Sequence, residues 1–368
     1  MRVLHVTNWY PNKLFPKEAL WIKRHVDSLS GDFICRVLHF EIFKRKLFFS
    51  FRRGGNISQL LIGLPFEFWR FNELLYFMWL FSQLVILRKS RNFDIINVHI
   101  AYPLLTYWKF IKPFISKPVV ISEHWSAYHY NFGVPYRLPR IERVFSHKIP
   151  LITVSRSLAR DIEEFSKTSL KVYILPNIVD DEFFGGDTDI SESNYFFMVS
   201  QWKWPKMPLI AMKAFNYFTE KNNRKYQLRI AGHGPLYESM RSWIIENEAD
   251  DCIKLLGPLS SNEIAAQMKK CKAVLHPTEY ETFSVVCAEA LSCGSKLLAS
   301  KVGGIVELGL TKDDVLVEFN TVECWLQALT KCLNAGLKDA AINEYENFST
   351  KKIGEQYGKI LKEISLWK

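Results

Sequence analysis

The chain has no C-x-x-C pair, although it carries seven cysteines, at 35, 252, 271, 287, 293, 324 and 332. An odd, unpatterned set excludes a disulfide frame and a zinc site and reads as buried thiols in a reducing compartment. Long apolar runs are also missing. The longest, Leu74 to Leu87, is interrupted by Ser82 and Gln83 and falls short of the roughly 18–20 residues that span a bilayer, so a buried helix is expected. Nothing at the start reads as a secretory leader, because Met1-Arg2-Val3-Leu4-His5-Val6 runs straight into structure; a cytoplasmic location is the expectation. Internal repeats and low-complexity tracts are absent. With 48% apolar and 23% charged residues among 368, this is an ordinary globular chain with room for two domains.

Charge is unevenly placed. Residues 1–180 hold 26 Lys and Arg against 13 Asp and Glu, a balance of +13, which leaves −3 for residues 181–368 of the overall +10. A basic first half beside a slightly acidic second half points to an anionic surface met by one domain only. The densest segment, Phe43-Lys44-Arg45-Lys46-Leu47-Phe48-Phe49-Ser50-Phe51-Arg52-Arg53, interleaves cations with large aromatics. That mixture suits a lipid interface, where rings insert and cations meet phosphates. Nucleic acid can use the same mixture, and a solvated loop over a hydrophobic groove is the plain alternative. The membrane surface is the favoured partner, and nucleic acid is not expected.

Short apolar runs alternate with helical periodicity from end to end, which predicts an α/β fold with parallel sheets. Expected strands in the first half are 3–6, 33–38, 95–98, 119–122, 151–154 and 172–175; in the second, 195–199, 228–231, 253–256, 273–276 and 296–299. Helices are expected over 17–29, 66–89, 101–110, 138–147 and 155–165, with Ser155 as N-cap, then over 208–220, 236–247, 261–270 and 284–292. The turn-rich stretch from Asp180 to Asp189 marks a linker, giving domains 1–182 and 193–348, a linker 183–192 and a terminal helix within 349–368. Two Rossmann-like domains in tandem are expected to leave a cleft where the carboxyl ends of both sheets face each other.

The segment richest in chemistry runs from His276 to Gly294, leaving a strand, crossing a polar loop and entering a helix. Glu281 stands in the loop and Glu289 about two turns into that helix, up to ~12 Å apart along its axis, about the reach of a diphosphate plus ribose. The free N–H groups of Phe283, Ser284 and Val285 would face the diphosphate, helped by the helix dipole. Glu289 would then accept from ribose hydroxyls while Glu281 meets a sugar. Two solvated glutamates are the plain alternative. Beyond the helix, Gly303-Gly304 permits close backbone approach to a ligand, with Glu307 following.

Glu281, Glu289, Gly294, Gly303, Gly304 and Glu307 together resemble the donor-site signature of the family-four retaining glycosyltransferases, E-x(7)-E followed by a Gly-Gly-x-x-Glu element. Pro176-Asn177-Ile178-Val179-Asp180 is similar to that family's P-N-x-V-D, Gly232-His233-Gly234-Pro235 to its G-x-G-P loop, and Ser122-Glu123-His124 to its strand-end histidine, with His99 before it. The resemblance implies the GT-B fold, two Rossmann-like domains facing across a donor-binding cleft, with the C-terminal helix returning to the first. It implies a retaining transfer from a nucleotide-sugar donor, such as a UDP- or GDP-sugar, to a glycan or lipid-linked acceptor in surface-polysaccharide synthesis. By that resemblance Lys206 clamps the diphosphate, His124 holds the donor sugar with Glu281, and Gln201, Gly232, His233, Gly234, Phe283, Ser284, Val285 and Glu289 line the donor site. No metal or separate cofactor is expected, and Asp187-Thr188-Asp189 is read as a chance D-x-D. Two departures stand out: Gln201 replaces the family's arginine, and Ala19 occupies the place of a loop glycine. They motivate a second reading, a catalytically silent glycan-binding partner; a nucleotide-sugar epimerase on the same fold is a third. The donor base and sugar, the acceptor and the linkage are not legible in any local pattern.

Overall fold

A computed structural model describes all residues except 67, 91–92, 134–137, 186–192, 335–346 and 367–368. The D-x-D at 187–189, most of the expected linker and Trp367 lie outside the described residues. Contacts divide the chain into two units, Met1–Ile178 with Thr350–Lys368, and Val179–Ser349.

The first unit is built on eight strands: β1 (Arg2–Thr7), β2 (Ile34–Lys44), β3 (Phe48–Gly54), β4 (Ile57–Leu64), β5 (Ile95–His99), β6 (Val119–Glu123), β7 (Leu151–Thr153) and β8 (Val172–Ile174). Their order is β3-β4-β2-β1-β5-β6-β7-β8, parallel except for the edge pair β3–β4. Strands β5 and β6 are buried at every position, as parallel strands covered on both faces must be. The helices of this unit are α1 (Leu20–Ser28), α2 (Trp69–Ser90), α3 (Ala101–Leu104), α4 (Trp108–Ile111), α5 (Leu138–Phe145) and α6 (Arg156–Ser166). Ser155 caps α6 as expected, its Oγ accepting from the Leu158 N–H at 3.0 Å. One expectation needs correction. The helix foreseen over 101–110 is two short helices parted at 105–107, where Leu105 (φ −100, ψ 12) and Tyr107 (φ −107, ψ 29) leave helical backbone. Within the first of them Tyr102 is itself extended, with φ −93 and ψ 132, as a residue before proline prefers. The basic aromatic segment, for which a solvated loop was the plain alternative, closes β2 and forms β3 of a hairpin.

The second unit has six strands, β9 (Tyr195–Gln201), β10 (Gln227–His233), β11 (Ile253–Gly257), β12 (Val274–His276), β13 (Leu297–Ser300) and β14 (Val315–Val317), all parallel in the order β11-β10-β9-β12-β13-β14. Helices α7 (Pro208–Lys221), α8 (Tyr237–Glu246), α9 (Ser261–Lys270), α10 (Val285–Ser292) and α11 (Val322–Asn334) cover it. Strand β14 and helix α11 were not foreseen. The core centres on Phe196, Met198, Phe215, Phe218 and Trp325.

The terminal helix, α12 (Thr350–Ser365), returns to the first unit. Its Tyr357, Leu361 and Ile364 join Val3, Ile95, Val120 and Ile152 in one buried cluster. All seven cysteines are free thiols. No helix among the described residues is long and apolar enough to cross a membrane.

Candidate functional site

The second sheet reverses direction between β9 and β12: the chain moves outward from β9 through β10 to β11, then fills the other side from β12. The crevice outside the carboxyl ends at such a switch point is where open α/β sheets take ligands. Lys206 lies in the loop after β9, and its backbone bridges Thr278 in the loop after β12. The Met207 N–H donates to Pro277 O at 3.0 Å and the Glu279 N–H to Pro205 O at 3.0 Å. Ser300 Oγ accepts from the Thr278 N–H at 2.9 Å, and Asn320 Nδ2 donates to Thr278 O at 2.8 Å, which pins the second loop from below.

This lacing sets the Lys206 ammonium on Oε1 of Glu281, the same oxygen that accepts from His276 Nε2 at 2.8 Å. Lys206 and Glu281 are each only 18% exposed. Burial alone would raise the Glu281 carboxyl, but Lys206 and His276 outweigh it and hold the group down at about 2. Burial lowers His276 below its ordinary value despite the bond to Glu281, so it is the neutral donor in this contact. His276 had no role in the sequence reading. The signal was available, since a histidine ends β12 just before the loop that carries Glu281.

Ser284 Oγ lies 3.1 Å from the same His276 nitrogen and accepts from the Cys287 N–H at 3.3 Å as N-cap of α10. The helix therefore opens at Val285. Of the three N–H groups expected at its tip, that of Val285 belongs to the first helical residue and that of Ser284 to the cap. Phe283 precedes the cap, its ring buried against Phe348 at 5.6 Å. Glu289 is half-buried and stands just over one turn into α10 instead of two. The paired glycines act on the protein itself. Gly304 N–H donates to Glu281 O at 2.9 Å, and a Cβ on Gly303, at φ +49, would stand 2.0 Å from that oxygen. Only glycine permits the contact that fixes the Glu281 backbone. Glu307 lies exposed beyond it.

On the other side of β9, the Gly232-His233-Gly234 turn is assembled around Trp202, itself 1% exposed. Trp202 N–H donates to His233 O at 2.8 Å, and Leu236 N–H to Trp202 O at 3.0 Å. Gly232 sits at φ +133 with Ser200 O only 1.9 Å from where a Cβ would be. Gln201 ends β9 in register with His233 and is exposed, as is Lys203. The structure thus brings Gln201, Gly232, His233, Gly234, Lys206, Glu281, Ser284 and Val285 to the carboxyl ends of neighbouring strands in one unit.

His124 belongs to the first unit, where it follows β6. It lies among histidines: its ring is 5.5 Å from that of His25, and His99 Nε2 meets His5 Nδ1 at 3.0 Å. Burial holds His5 at about 3 and His25 at about 4. Burial lowers His99 and His124 as well, so the cluster is neutral. Glu123 braces two strand ends at once, its Oε1 accepting from the Ala101 N–H and the Tyr128 hydroxyl, each at 2.7 Å. Burial raises this carboxyl to about 7. In the loop before α1, Ala19 adopts φ 46 and ψ 39 and is 1% exposed. Beside it, Asn12 Nδ2 donates to Glu41 at 3.3 Å, and burial lifts Glu41 to about 8 and Glu18 to about 7. Among the described residues, no group of three or more His, Cys, Asp or Glu could hold a metal ion.

Residues 180–349 match the family model described as Glycosyl transferases group 1, and residues 47–183 match Glycosyltransferase Family 4. An uncharacterised glycosyltransferase of Methanocaldococcus jannaschii is 23% identical over 60% of this chain and 59% of its own length. The N-acetyl-alpha-D-glucosaminyl L-malate synthase of Bacillus anthracis is 24% identical over 70% of this chain and 74% of its own. Among solved structures, Anabaena HepE in complex with UDP superposes with a TM-score of 0.74 at 16% identity, covering 99% of this chain and all of that one. Trehalose-6-phosphate synthase OtsA gives 0.68 at 13%, covering the whole of both chains. The fold is GT-B.

Proposed function

We propose that this chain, a glycosyltransferase of the GT-B fold, is a retaining enzyme that takes its sugar from a nucleotide-sugar donor held at the β9/β12 switch point. The observation that supports this reading is the Lys206–Glu281–His276 contact beside the tip of α10. It stations one cation and one ionised carboxylate next to the open N–H groups of a helix start. Phosphate oxygens fit the N–H groups and the ammonium, while the carboxylate is an acceptor for sugar hydroxyls. Retaining transfer of this kind needs the developing charge on the leaving diphosphate to be stabilised, which Lys206 would supply as it turns from Glu281 to the phosphate. His124 is assigned to the donor sugar by the family resemblance. The acceptor we propose is a glycan or lipid-linked glycan of a surface polysaccharide, met at an anionic membrane through the basic first unit. Anabaena HepE was solved with UDP-glucose, which makes UDP-glucose the first donor to try.

The test is donor hydrolysis and transfer across a panel of UDP- and GDP-sugars, with the anomeric configuration of the product read by NMR. Glu281→Ala is expected to abolish turnover in a folded protein, and EDTA to leave turnover intact. Calorimetry that finds no nucleotide-sugar binding at all would favour the silent glycan-binding partner, which the exposed Gln201 in place of an arginine motivates. Isomerised donor in the absence of acceptor would favour an epimerase.

A further inference from the structure

The second helix of the chain breaks the usual surface pattern. Its inner stripe, Glu73, Tyr76, Leu80 and Leu84, is buried, with Phe40 of β2 against Tyr76 at 4.9 Å. A surface helix normally turns charge outward. Here the outer stripe is Phe71, Leu74 and Met78, which are 42%, 41% and 56% exposed. Between Phe68 and Val85 the only charged residues are Arg70 and Glu73. Glu73 is buried and paired with Arg140 at 2.7 Å, so the outward charge is a cation.

The register of the sheet extends this surface. Phe49 and Phe51 of β3 stand opposite Ile62 and Leu60 of β4, which in turn align with Ile42 and Phe40 of β2. Cross-strand partners share a face, so Phe49 and Phe51 lie on the side of the sheet that α2 covers, on the edge strand beyond the helix. They are 70% and 61% exposed. Their neighbour Phe48 points the other way and stacks with Phe43 over Gly63, consistent with that alternation. Arg53 shares the face of Phe51, and the β2–β3 turn adds exposed Lys44, Arg45 and Lys46. The described acids from β2 through Val85, Glu41 and Glu73, are both buried.

We propose that the outer stripe of α2 and the α2-side phenylalanines of β3 form one surface that inserts into an anionic lipid bilayer, with the flanking arginines and lysines on headgroup phosphates. This rests on the membrane reading above and replaces a linear basic segment with a face drawn from two elements. Charge decides the occupant. A second copy of the chain docking through the same patch would bring arginines onto arginines with no exposed acid in the described part of the patch to answer them, whereas anionic headgroups are the matching partner.

Flotation with phosphatidylcholine vesicles, with and without phosphatidylglycerol, tests the surface. The wild type is expected to float only with the anionic vesicles. The variant Phe51→Ser/Phe71→Ser/Met78→Ser is expected to lose about tenfold or more in partition while donor hydrolysis in vesicle-free buffer is unchanged. Phe71→Trp, which keeps a large apolar ring, is expected to float normally. Unchanged flotation of the triple variant, or loss of flotation by Phe71→Trp, would overturn the proposal. So would a wild-type dimer in analytical ultracentrifugation that the triple variant dissolves without any change in flotation. Absence of donor hydrolysis in the wild type is a separate failure, of the catalytic reading alone.

Discussion

The ion pair of Lys206 with Glu281 makes a quantitative prediction about the second unit. An ordinary glutamate titrates near 4.5, and Glu281 is held at about 2; that gap corresponds to about 3 kcal/mol of preference for the ionised form in the fold. The carboxyl is depressed, so this stability is present above pH 4.5 and is lost as pH falls from 4.5 to about 2. Lys206→Met strands a mostly buried carboxylate with His276 as its remaining partner in this contact, which is expected to cost about 1–3 kcal/mol. Glu281→Gln should cost less, because the amide oxygen can still accept from His276 and the ammonium can turn to solvent. With both changes made, no uncompensated carboxylate remains, and the loss should fall short of the sum by about 1–3 kcal/mol. Hydrogen exchange read by mass spectrometry on peptides from β12 and α10 isolates this unit from the rest of the chain. Additivity within about 0.3 kcal/mol would refute the coupling, and with it the claim that Lys206 helps to set the charge of Glu281.

Gly303→Ala should displace the Glu281 loop, since its methyl would meet Glu281 O at 2.0 Å at a φ of +49; crystallography or exchange in residues 277–284 would show it, and unaltered protection would argue against the contact. Stability of the first unit should peak near pH 6.5. Burial holds His5, His25 and His39 at about 3 to 4, so stability is lost as pH falls from 6.5 towards those values. Glu123 at about 7 and Glu41 at about 8 are raised, so their contribution is lost as pH climbs from 4.5 through those values. Glu41→Gln should flatten the alkaline side by up to about 1.4 kcal/mol per pH unit, measured as urea midpoints from pH 5 to 9 and expected at odds with a pH-independent midpoint. Ala19→Gly should leave the loop path unchanged, because Ala19 already holds a left-handed backbone; a rearranged loop in the variant structure would contradict this.

Much of the fold could be read from the chain because both sheets are parallel apart from the β3–β4 edge and their central strands are buried, which writes each of those strands as a short apolar run between helical periods. The elements that escaped did so for specific reasons. Phe48-Phe49-Ser50-Phe51-Arg52-Arg53 does not alternate, since β3 is an edge strand with exposed rings on one face and Phe48 packed on the other. Val315–Val317 is too short to signal itself. The single helix expected over 101–110 is interrupted at Leu105 and Tyr107, which leave helical backbone without any breaker residue at 105–107. In the site, Glu281 and Glu289 were legible because their spacing is local. The partnership of Lys206 with Glu281 was not, since it depends on two loops laced together across the switch point by Lys206 and Thr278, whereas His276 stands only five residues before Glu281. Gly303 was read as room for a ligand, whereas its immediate neighbour is the Glu281 carbonyl.

The two departures from the family pattern differ in physical kind. At Ala19 the backbone keeps the left-handed geometry that glycine would adopt freely, so the change adds one buried methyl at a conformational cost of about 1–2 kcal/mol. At Gln201 a charge is lost, and that alters the electrostatics of any diphosphate bound beside it. Lys206 is neutralised by Glu281, so a diphosphate must compete with that carboxylate for the ammonium. His276 makes the competition workable, because it donates to the same oxygen and leaves Glu281 hydrogen-bonded when Lys206 turns away. In the proposed donor site, one arginine short, binding would depend more heavily on a lysine whose release a neutral histidine prepares, and His276 would then matter as much as Glu281 and Glu289.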